Sequence, residues 1–297
     1  MRKERPEWRS FLFCMVIAAV QCYDYCMDHR HSPIQNRHAF SLVELSIVLV
    51  IIGLLIGGVL AGQSLIRAAE LRSLVTDVNN FTSAVQNFRD QYKALPGDML
   101  NATNYWGAAH ANAATCTSTI GTGTQTCNGT GDGFVSGPNG GNIDLNERFR
   151  FWQHLANAGF ITGTYTGVST PVNGNGTSLG NNVPKSRLAN SGYSAYSEFS
   201  ASSLANDFFN IDPPNNIIVA GAQATGSDTY LPNMSAAEAQ NIDTKTDDGK
   251  PAYGKVQSFR LGSAAGPTCT TSTTATTANY ALSLTGNICT LYFFFTR

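Results

Sequence analysis

Charged side chains are scarce in this sequence: they make up 13% of its 297 residues, against roughly 25% in typical soluble domains. The formal net charge is −1, and no basic run is long enough to form a stripe for a phosphate backbone. Nucleic acid is therefore not an expected partner. The chain also has no P-loop, dinucleotide fingerprint, nucleophile elbow or HExxH motif. We expect a protein that is not an enzyme and requires no cofactor.

Long apolar runs are rare too, and only one segment could cross a membrane. Residues 45–66 carry no charge and consist mainly of Leu, Ile, Val and Gly. As a helix rising about 1.5 Å per residue they would extend about 33 Å, which matches a bilayer core of about 30 Å. This predicts a single transmembrane span in contact with membrane lipid. Basic residues before it favour a cytoplasmic amino end.

The helical pattern continues beyond the apolar run. Apolar residues recur at spacings of three or four from Leu71 to Tyr92, which is typical of an amphipathic helix. Leu95-Pro96-Gly97 then ends the pattern, because neither Pro nor Gly continues a helix cheaply. We predict one long helix over residues 40–95, followed by a globular domain over 96–297.

That domain is rich in Gly, Asn and Thr, which predicts long loops around short elements. Its fold class is predicted as α+β with a small antiparallel sheet. A capping box at Ser235–Glu238 predicts the start of a short helix. The other predicted elements are a helix at 145–158 and strands at 216–221, 255–261, 280–284 and 288–295.

Four cysteines follow the apolar run: Cys116, Cys127, Cys269 and Cys289. In an exported domain they indicate two disulfides, for which three connectivities exist. The sequence-local pairs Cys116–Cys127 and Cys269–Cys289 are favoured, because each closes a short loop. The alternative is buried free thiols, and the lack of any CxxC argues against zinc.

A calcium site is the one metal hypothesis that the sequence offers. Oxygen-bearing residues alternate from Asn128 to Asp132, as in an EF-hand loop, but the position for the bidentate Glu holds Asn139. Asp132, with Asp144 and Glu147 from across a Gly-rich loop, could complete such a site. The alternative is a solvated turn followed by the start of a helix. Carboxylates in the first turn of a helix are stabilised by the positive end of its dipole.

Residues 38–45 read HAFSLVEL and run directly into the apolar segment. A lone carboxylate at Glu44 is costly there, about 3 kcal/mol or more at membrane depth, so a partner or a function is expected. A cut between Ala39 and Phe40 would create a positive amine one helical turn before Glu44. In a stack of identical helices, that amine could pair with Glu44 of a neighbour and set the register, as a buried polar residue does in coiled coils.

The small residue followed by Phe40-Ser41-Leu42-Val43-Glu44 and a long apolar helix resembles the signal of type IV pilins and type II secretion pseudopilins. The resemblance implies that a prepilin peptidase cleaves before Phe40 and methylates its new amine. It implies that Glu44 guides assembly with other pilin or pseudopilin subunits through the helix. It also implies a bacterial inner-membrane precursor with a cytoplasmic amino end and a periplasmic domain, destined for an extracellular or periplasmic filament.

Two departures refine this interpretation. Ala39 stands where the family usually has Gly, which predicts slower processing. The helix lacks the Pro of many major pilins, and the domain is large, so a minor subunit is favoured. The leader spans residues 1–39, or starts at Met27 if translation begins there.

A rival from another class is an adhesin or ligand-binding protein, displayed at a filament tip or on the membrane. Its contact surface would include Trp106, Tyr193 and Tyr196. A plain uncleaved signal anchor is the remaining alternative to the processing motif.

Overall fold

The computed structural model describes residues 42–135, 147–170, 176–198, 209, 215–259 and 269–295. The contacts between residues fall mainly within two units of the chain, residues 1–60 and 61–297. In the first unit, every described residue from Leu42 to Leu60 is exposed. The second unit contains the hydrophobic core.

Helix α1 spans Leu42–Tyr92, 51 residues, close to the predicted 40–95. Within the described residues it is the one helix long and apolar enough to cross a membrane. In the second unit its buried side chains recur every three or four residues, as expected for an amphipathic helix on a core. They are Leu74, Val78, Ala84, Val85 and Phe88.

The chain reverses direction directly after α1. Gly97 has a φ of 84°, and a Cβ there would lie 2.4 Å from the carbonyl oxygen of Glu147. The Gly97 N–H donates to His154 Nδ1 at 3.0 Å. Glycine is therefore required at this turn by both its conformation and the close backbone approach.

The remaining helices are short. They are α2 (Ala102–Trp106), α3 (Ala113–Cys116), α4 (Glu147–Asn157) and α5 (Ala236–Thr246), with a 3-10 turn at Ala275–Thr277. Helix α5 begins with the predicted capping box: Ser235 Oγ accepts from the Glu238 N–H, and the Glu238 carboxylate accepts from the Ser235 N–H.

In the part of the chain that the structure describes, the sheet has four antiparallel strands in the order β1-β2-β4-β3. They are β1 (Ser191–Glu198), β2 (Asn215–Ala222), β3 (Val256–Ser258) and β4 (Leu291–Phe294). Side chains alternate between the faces of the sheet. Ile218 and Leu291 join the main core with α1 and α4, whereas Val219 and Tyr292 form a second, smaller cluster. The α+β class with a small antiparallel sheet is confirmed.

One strand prediction was wrong, and one strand was missed. Residues 280–284 form a turn, because Tyr280 pairs with Thr270 only in an isolated bridge and Leu282 is 56% exposed. Conversely, β1 was not predicted, because its sequence SGYSAYSE is rich in residues with little preference for strands.

Candidate functional site

The exposed apolar surface of α1 is the most unusual feature of the first unit. Leu42 is 86% and Leu54 73% exposed, and none of the apolar window is buried within the chain. A soluble domain rarely leaves a contiguous apolar surface of this kind uncovered, so it indicates contact with lipid or with other helices.

Four glycines interrupt this surface: Gly53, Gly57, Gly58 and Gly62. A Cβ added at any of them would meet nothing within 4 Å. Packing inside the chain therefore does not require glycine at these positions. Small residues on an apolar helix permit close approach of a second helix, which is a use outside the chain itself.

Glu44 lies in the first turn of α1 and is exposed. A negatively charged side chain in the first turn of a helix interacts favourably with the positive end of the helix dipole. The proposed cleavage residues Ala39 and Phe40, and the leader with Met27, lie outside the described residues. The pairing of Glu44 with a neighbour's amine therefore stays a prediction.

Two disulfides lie among the described residues, and both are sequence-local. Cys116 bonds Cys127 across 11 residues, and Cys269 bonds Cys289 across 20. The first ties α3 to the loop that follows it. The second ties the loop before residue 280 to the residues preceding β4.

The calcium candidates occupy different environments. Asp132 Oδ1 accepts from the Phe134 N–H at 2.9 Å. The Glu147 carboxylate accepts from the N–H and hydroxyl of Thr130, at 2.6 and 2.9 Å. Asp144 lies outside the described residues, so the calcium site stays a prediction.

A second acidic group was not predicted as a metal site. Carboxylate oxygens of Asp243, Asp247 and Asp248 lie within 4.8 Å of one another, close enough for one cation. They also accept nearby backbone N–H groups: Gly249 donates to Asp243, and Lys250 donates to Asp248. These bonds are typical of a tight turn.

His154 has a structural role. Its Nδ1 accepts from the Gly97 N–H, and its Nε2 lies 2.9 Å from the Thr126 hydroxyl. Burial, with the nearby charge of Arg150, lowers the pKa of His154 to about 3. The ring is therefore neutral at physiological pH and is committed to hydrogen bonds in the core.

The predicted aromatic contact surface needs correction. Tyr193 is fully buried, and its hydroxyl donates to Asp77 at 2.9 Å. Burial raises its pKa further above the ordinary value. Because Tyr193 belongs to the core, it cannot contact a ligand. Trp106 is half-buried and packs on Phe88 and Tyr92. The structure does not describe the side chain of Tyr196.

Comparison with known proteins identifies the amino-terminal segment. Residues 34–60 match the family model of the prokaryotic N-terminal methylation motif. No curated protein and no solved structure matches the chain. The matched segment holds Ala39, Phe40, Glu44 and the first part of the exposed apolar helix.

The family to which this motif points is structural rather than catalytic. The motif implies processing by a prepilin peptidase and assembly with other pilin subunits. Together with the long apolar helix, it points to a membrane-anchored protein. The chain thus carries the prepilin-type signal of type IV pilins and pseudopilins.

Proposed function

We propose that the protein is a structural subunit, a minor pilin or pseudopilin, of a type IV pilus or a type II secretion pseudopilus. The observation that carries this proposal is the methylation motif at residues 34–60, which runs into a 51-residue helix. The exposed apolar surface of that helix supports a role in which the surface is covered by lipid first and by other subunits later.

In this proposal, residues 1–39 are the leader. The peptidase hydrolyses the Ala39–Phe40 peptide bond and methylates the amine that is freed on Phe40. Ala39 is small enough for cleavage, and its extra methyl relative to the usual Gly slows the reaction.

Assembly then uses the amine and Glu44 as complementary charges. The amine of one subunit pairs with Glu44 of its neighbour, because each charge is costly to bury alone at membrane depth. One charged pair per helix sets the axial register between otherwise sliding apolar helices. The open sides of Gly57 and Gly58 allow the helices to approach closely.

The proposed topology places residues 45–66 in the bacterial inner membrane and the domain of residues 96–297 in the periplasm. Incorporation would carry that domain to the surface of a periplasmic or extracellular filament. A minor position is favoured because the helix lacks an internal Pro and the domain is large and loop-rich. Calcium binding by Asp132, Asp144 and Glu147 would be an accessory property of the domain.

The second candidate is a ligand-binding protein displayed on such a filament. The observation that favours it is an open cleft beside the carboxyl end of α1, lined in part by exposed polar side chains such as Arg89 and Asn101. Its contact surface would lie there rather than at the buried Tyr193.

Gene deletion followed by imaging of filaments tests the structural role. We expect filaments to be lost or reduced, and to be restored by the wild-type chain. Unchanged filaments with lost adherence would instead favour the displayed binder.

Complementation with Glu44→Ala tests the role of the carboxylate. We expect this variant to be processed but not incorporated. The matched control is Glu70→Ala, which removes a carboxylate from the same helix beyond the apolar run and should be incorporated normally. Normal incorporation of Glu44→Ala would show that Glu44 does not set the register between subunits.

A further inference from the structure

A groove of about 580 Å³ lies within the second unit, between residues 68–76 of α1 and helix α5. Ala68, Leu71 and Val75 line it from α1, and Ala237 and Ile242 line it from α5. Ile242 is buried, Leu71 and Val75 are half-buried, and the two alanines are exposed. This α1/α5 groove therefore has an apolar floor and small side chains at its rim, which suit the apolar face of a further helix.

The charged side chains at the α1/α5 groove leave an excess of positive charge. The carboxylate among its lining residues is that of Glu238, which accepts from Arg67 at 2.7 Å. Glu70 lies 3.5 Å from the same guanidinium. Arg72 and Lys245 also line the groove and are exposed. Within the described residues, neither of these two side chains makes a hydrogen bond or an ion pair.

The next carboxylates on either helix face other partners. Asp77 of α1 accepts from the Tyr193 hydroxyl at 2.9 Å, and Asp243 of α5 accepts from the Tyr280 hydroxyl at 2.7 Å. Neither lines the groove. The two cations of the groove therefore have no carboxylate of their own helices as a partner, and a docked carboxylate would supply one.

The α1/α5 groove continues an exposed apolar stripe of α1. Ala61 and Leu65 precede Ala68, Arg72 and Val75 at alternating spacings of four and three residues, which places all five on one face of the helix. Leu65 is 71% exposed, and Ala61 is exposed too. A face with this spacing packs against a second helix in coiled coils. The methylation motif implies assembly with other pilin subunits, and the groove is continuous with the helix surface available for it.

The same spacing extends back along the sequence to Glu44. Alternating steps of three and four residues connect ten positions, of which only the first and the ninth are charged. The ten are Glu44, Ile47, Ile51, Leu54, Gly58, Ala61, Leu65, Ala68, Arg72 and Val75. Glu44 precedes Arg72 by 28 residues, which is four heptads. A parallel helix of this sequence displaced by four heptads therefore brings its Glu44 opposite Arg72 and its Ile47 opposite Val75.

We propose that the α1/α5 groove seats the first turns of an apolar helix from another pilin subunit, whose Glu44-like carboxylate binds between Arg72 and Lys245. The inference rests on the proposed function, because it needs a filament in which such helices run parallel. In this chain those turns present the exposed Leu42 and Ile47 beside Glu44. The guanidinium of Arg72 matches a carboxylate with two parallel N–H donors. A carboxylate has acceptor sites enough to bind an amine of a third subunit as well.

Photo-crosslinking of the full chain in filament-forming cells tests the proposal. The chain carries benzoylphenylalanine in place of Ala237, an exposed residue of the groove, and mass spectrometry identifies the peptide that it captures. We expect the amino-terminal peptide of a processed pilin, either a second copy of this chain or another subunit. The matched control carries the same probe in place of Asn80, which is exposed on α1 and does not line the groove. It should not capture that peptide.

Charge reversal tests the ion pair. Arg72→Glu and Lys245→Glu should each lower the yield of this cross-link about tenfold, as expected for loss of a charge-assisted hydrogen bond. Arg89→Glu reverses the same charge on the same helix outside the groove and should leave the yield unchanged. Because all three side chains are exposed, the melting temperatures of the variants should stay close to that of the wild type, which separates docking from folding.

In a chain that is incorporated into filaments, four results would overturn the proposal and leave the structural role intact. They are no capture from position 237, capture of lipid there in place of a pilin peptide, equal capture of the amino-terminal peptide from position 80, and an equal loss of yield in Arg89→Glu. A chain that is absent from filaments would overturn the proposed function, and the role of the groove with it.

Discussion

Arg67 donates two hydrogen bonds to the carboxylate of Glu238. Its Nε lies 2.7 Å from Oε1, and its Nη2 lies 3.0 Å from Oε2. The same guanidinium donates to the carbonyl of Asn233 at 3.0 Å. Glu238 also completes the capping box with Ser235. One carboxylate therefore both begins α5 and fastens it to α1 just beyond the apolar run.

Replacing Glu238 with Ala should lower the free energy of unfolding by about 1–2 kcal/mol, because the cap and the partly exposed ion pair are both lost. Glu238→Gln should lose less, since an amide can still complete the box. Thermal unfolding followed by circular dichroism measures both. If both variants lose the same free energy of unfolding, the hydrogen bond from the Ser235 N–H to the side chain at position 238 contributes nothing to stability.

The same pair predicts a loss of stability in acid. Burial alone would raise the pKa of Glu238, but the hydrogen bonds from Arg67 and Ser235 lower it below the ordinary value. A carboxyl with a lowered folded-state pKa contributes stability above its unfolded pKa of about 4.3, and this is lost as the pH falls through the folded value. Unfolding of the wild type and Glu238→Gln across this range should show the wild-type advantage disappearing. An advantage that persists at the lowest pH would contradict it.

Arg148 and Asp228 form a buried ion pair at 2.6 Å, with side chains 1% and 5% exposed. Asp228→Ala should cost about 3–5 kcal/mol, because it leaves a buried charge without its partner. Replacing both by Met and Leu should cost much less. Denaturant unfolding of Arg148→Met, Asp228→Leu and the double variant completes the cycle, and strictly additive losses would mean that the pair is not coupled.

The contribution of Asp243 to stability should depend on pH in the opposite direction. Burial, with Asp248 and Asp247 nearby, raises its pKa to about 7, despite hydrogen bonds from Tyr280 and Gly249. Between its unfolded pKa of about 3.9 and this value the folded state binds more protons, so its contribution to stability falls as the pH rises. Asp243→Asn should flatten that dependence. An unchanged pH profile in this variant would exclude Asp243 as its source.

Removing the Cys116–Cys127 disulfide by a double Cys→Ala substitution should cost about 3 kcal/mol, as the chain-entropy model gives for a short loop. The Cys269–Cys289 double variant should cost a similar amount or slightly more, because its loop is longer. Melting temperatures under non-reducing conditions measure both. A loss far below 1 kcal/mol in either variant would indicate that the bond does not constrain the unfolded chain as this model assumes.

Local patterns predicted much of the fold. The periodicity of α1, its end near Pro96 and the capping box of α5 depend on residues close together in sequence. Strand β1 could not be predicted in this way, because its Ser, Gly and Ala residues are held by partners elsewhere. A Cβ at Gly192 would lie 2.6 Å from the carbonyl oxygen of Pro184, so a residue that weakens a strand intrinsically is required there by packing.

The candidate sites divide in the same way. Glu44 was evident from sequence because a charge in an apolar run is conspicuous. The Arg67–Glu238 pair was not, since it brings together residues distant in sequence. Tyr193 was misjudged because an aromatic residue in a polar segment is equally compatible with a surface and with a core.

Mass spectrometry of the mature amino terminus distinguishes a processed prepilin from an uncleaved membrane anchor. We expect a chain that begins at Phe40 and carries one methyl group on its amine. A chain that keeps the residues before Phe40, or begins at any other residue, would contradict it.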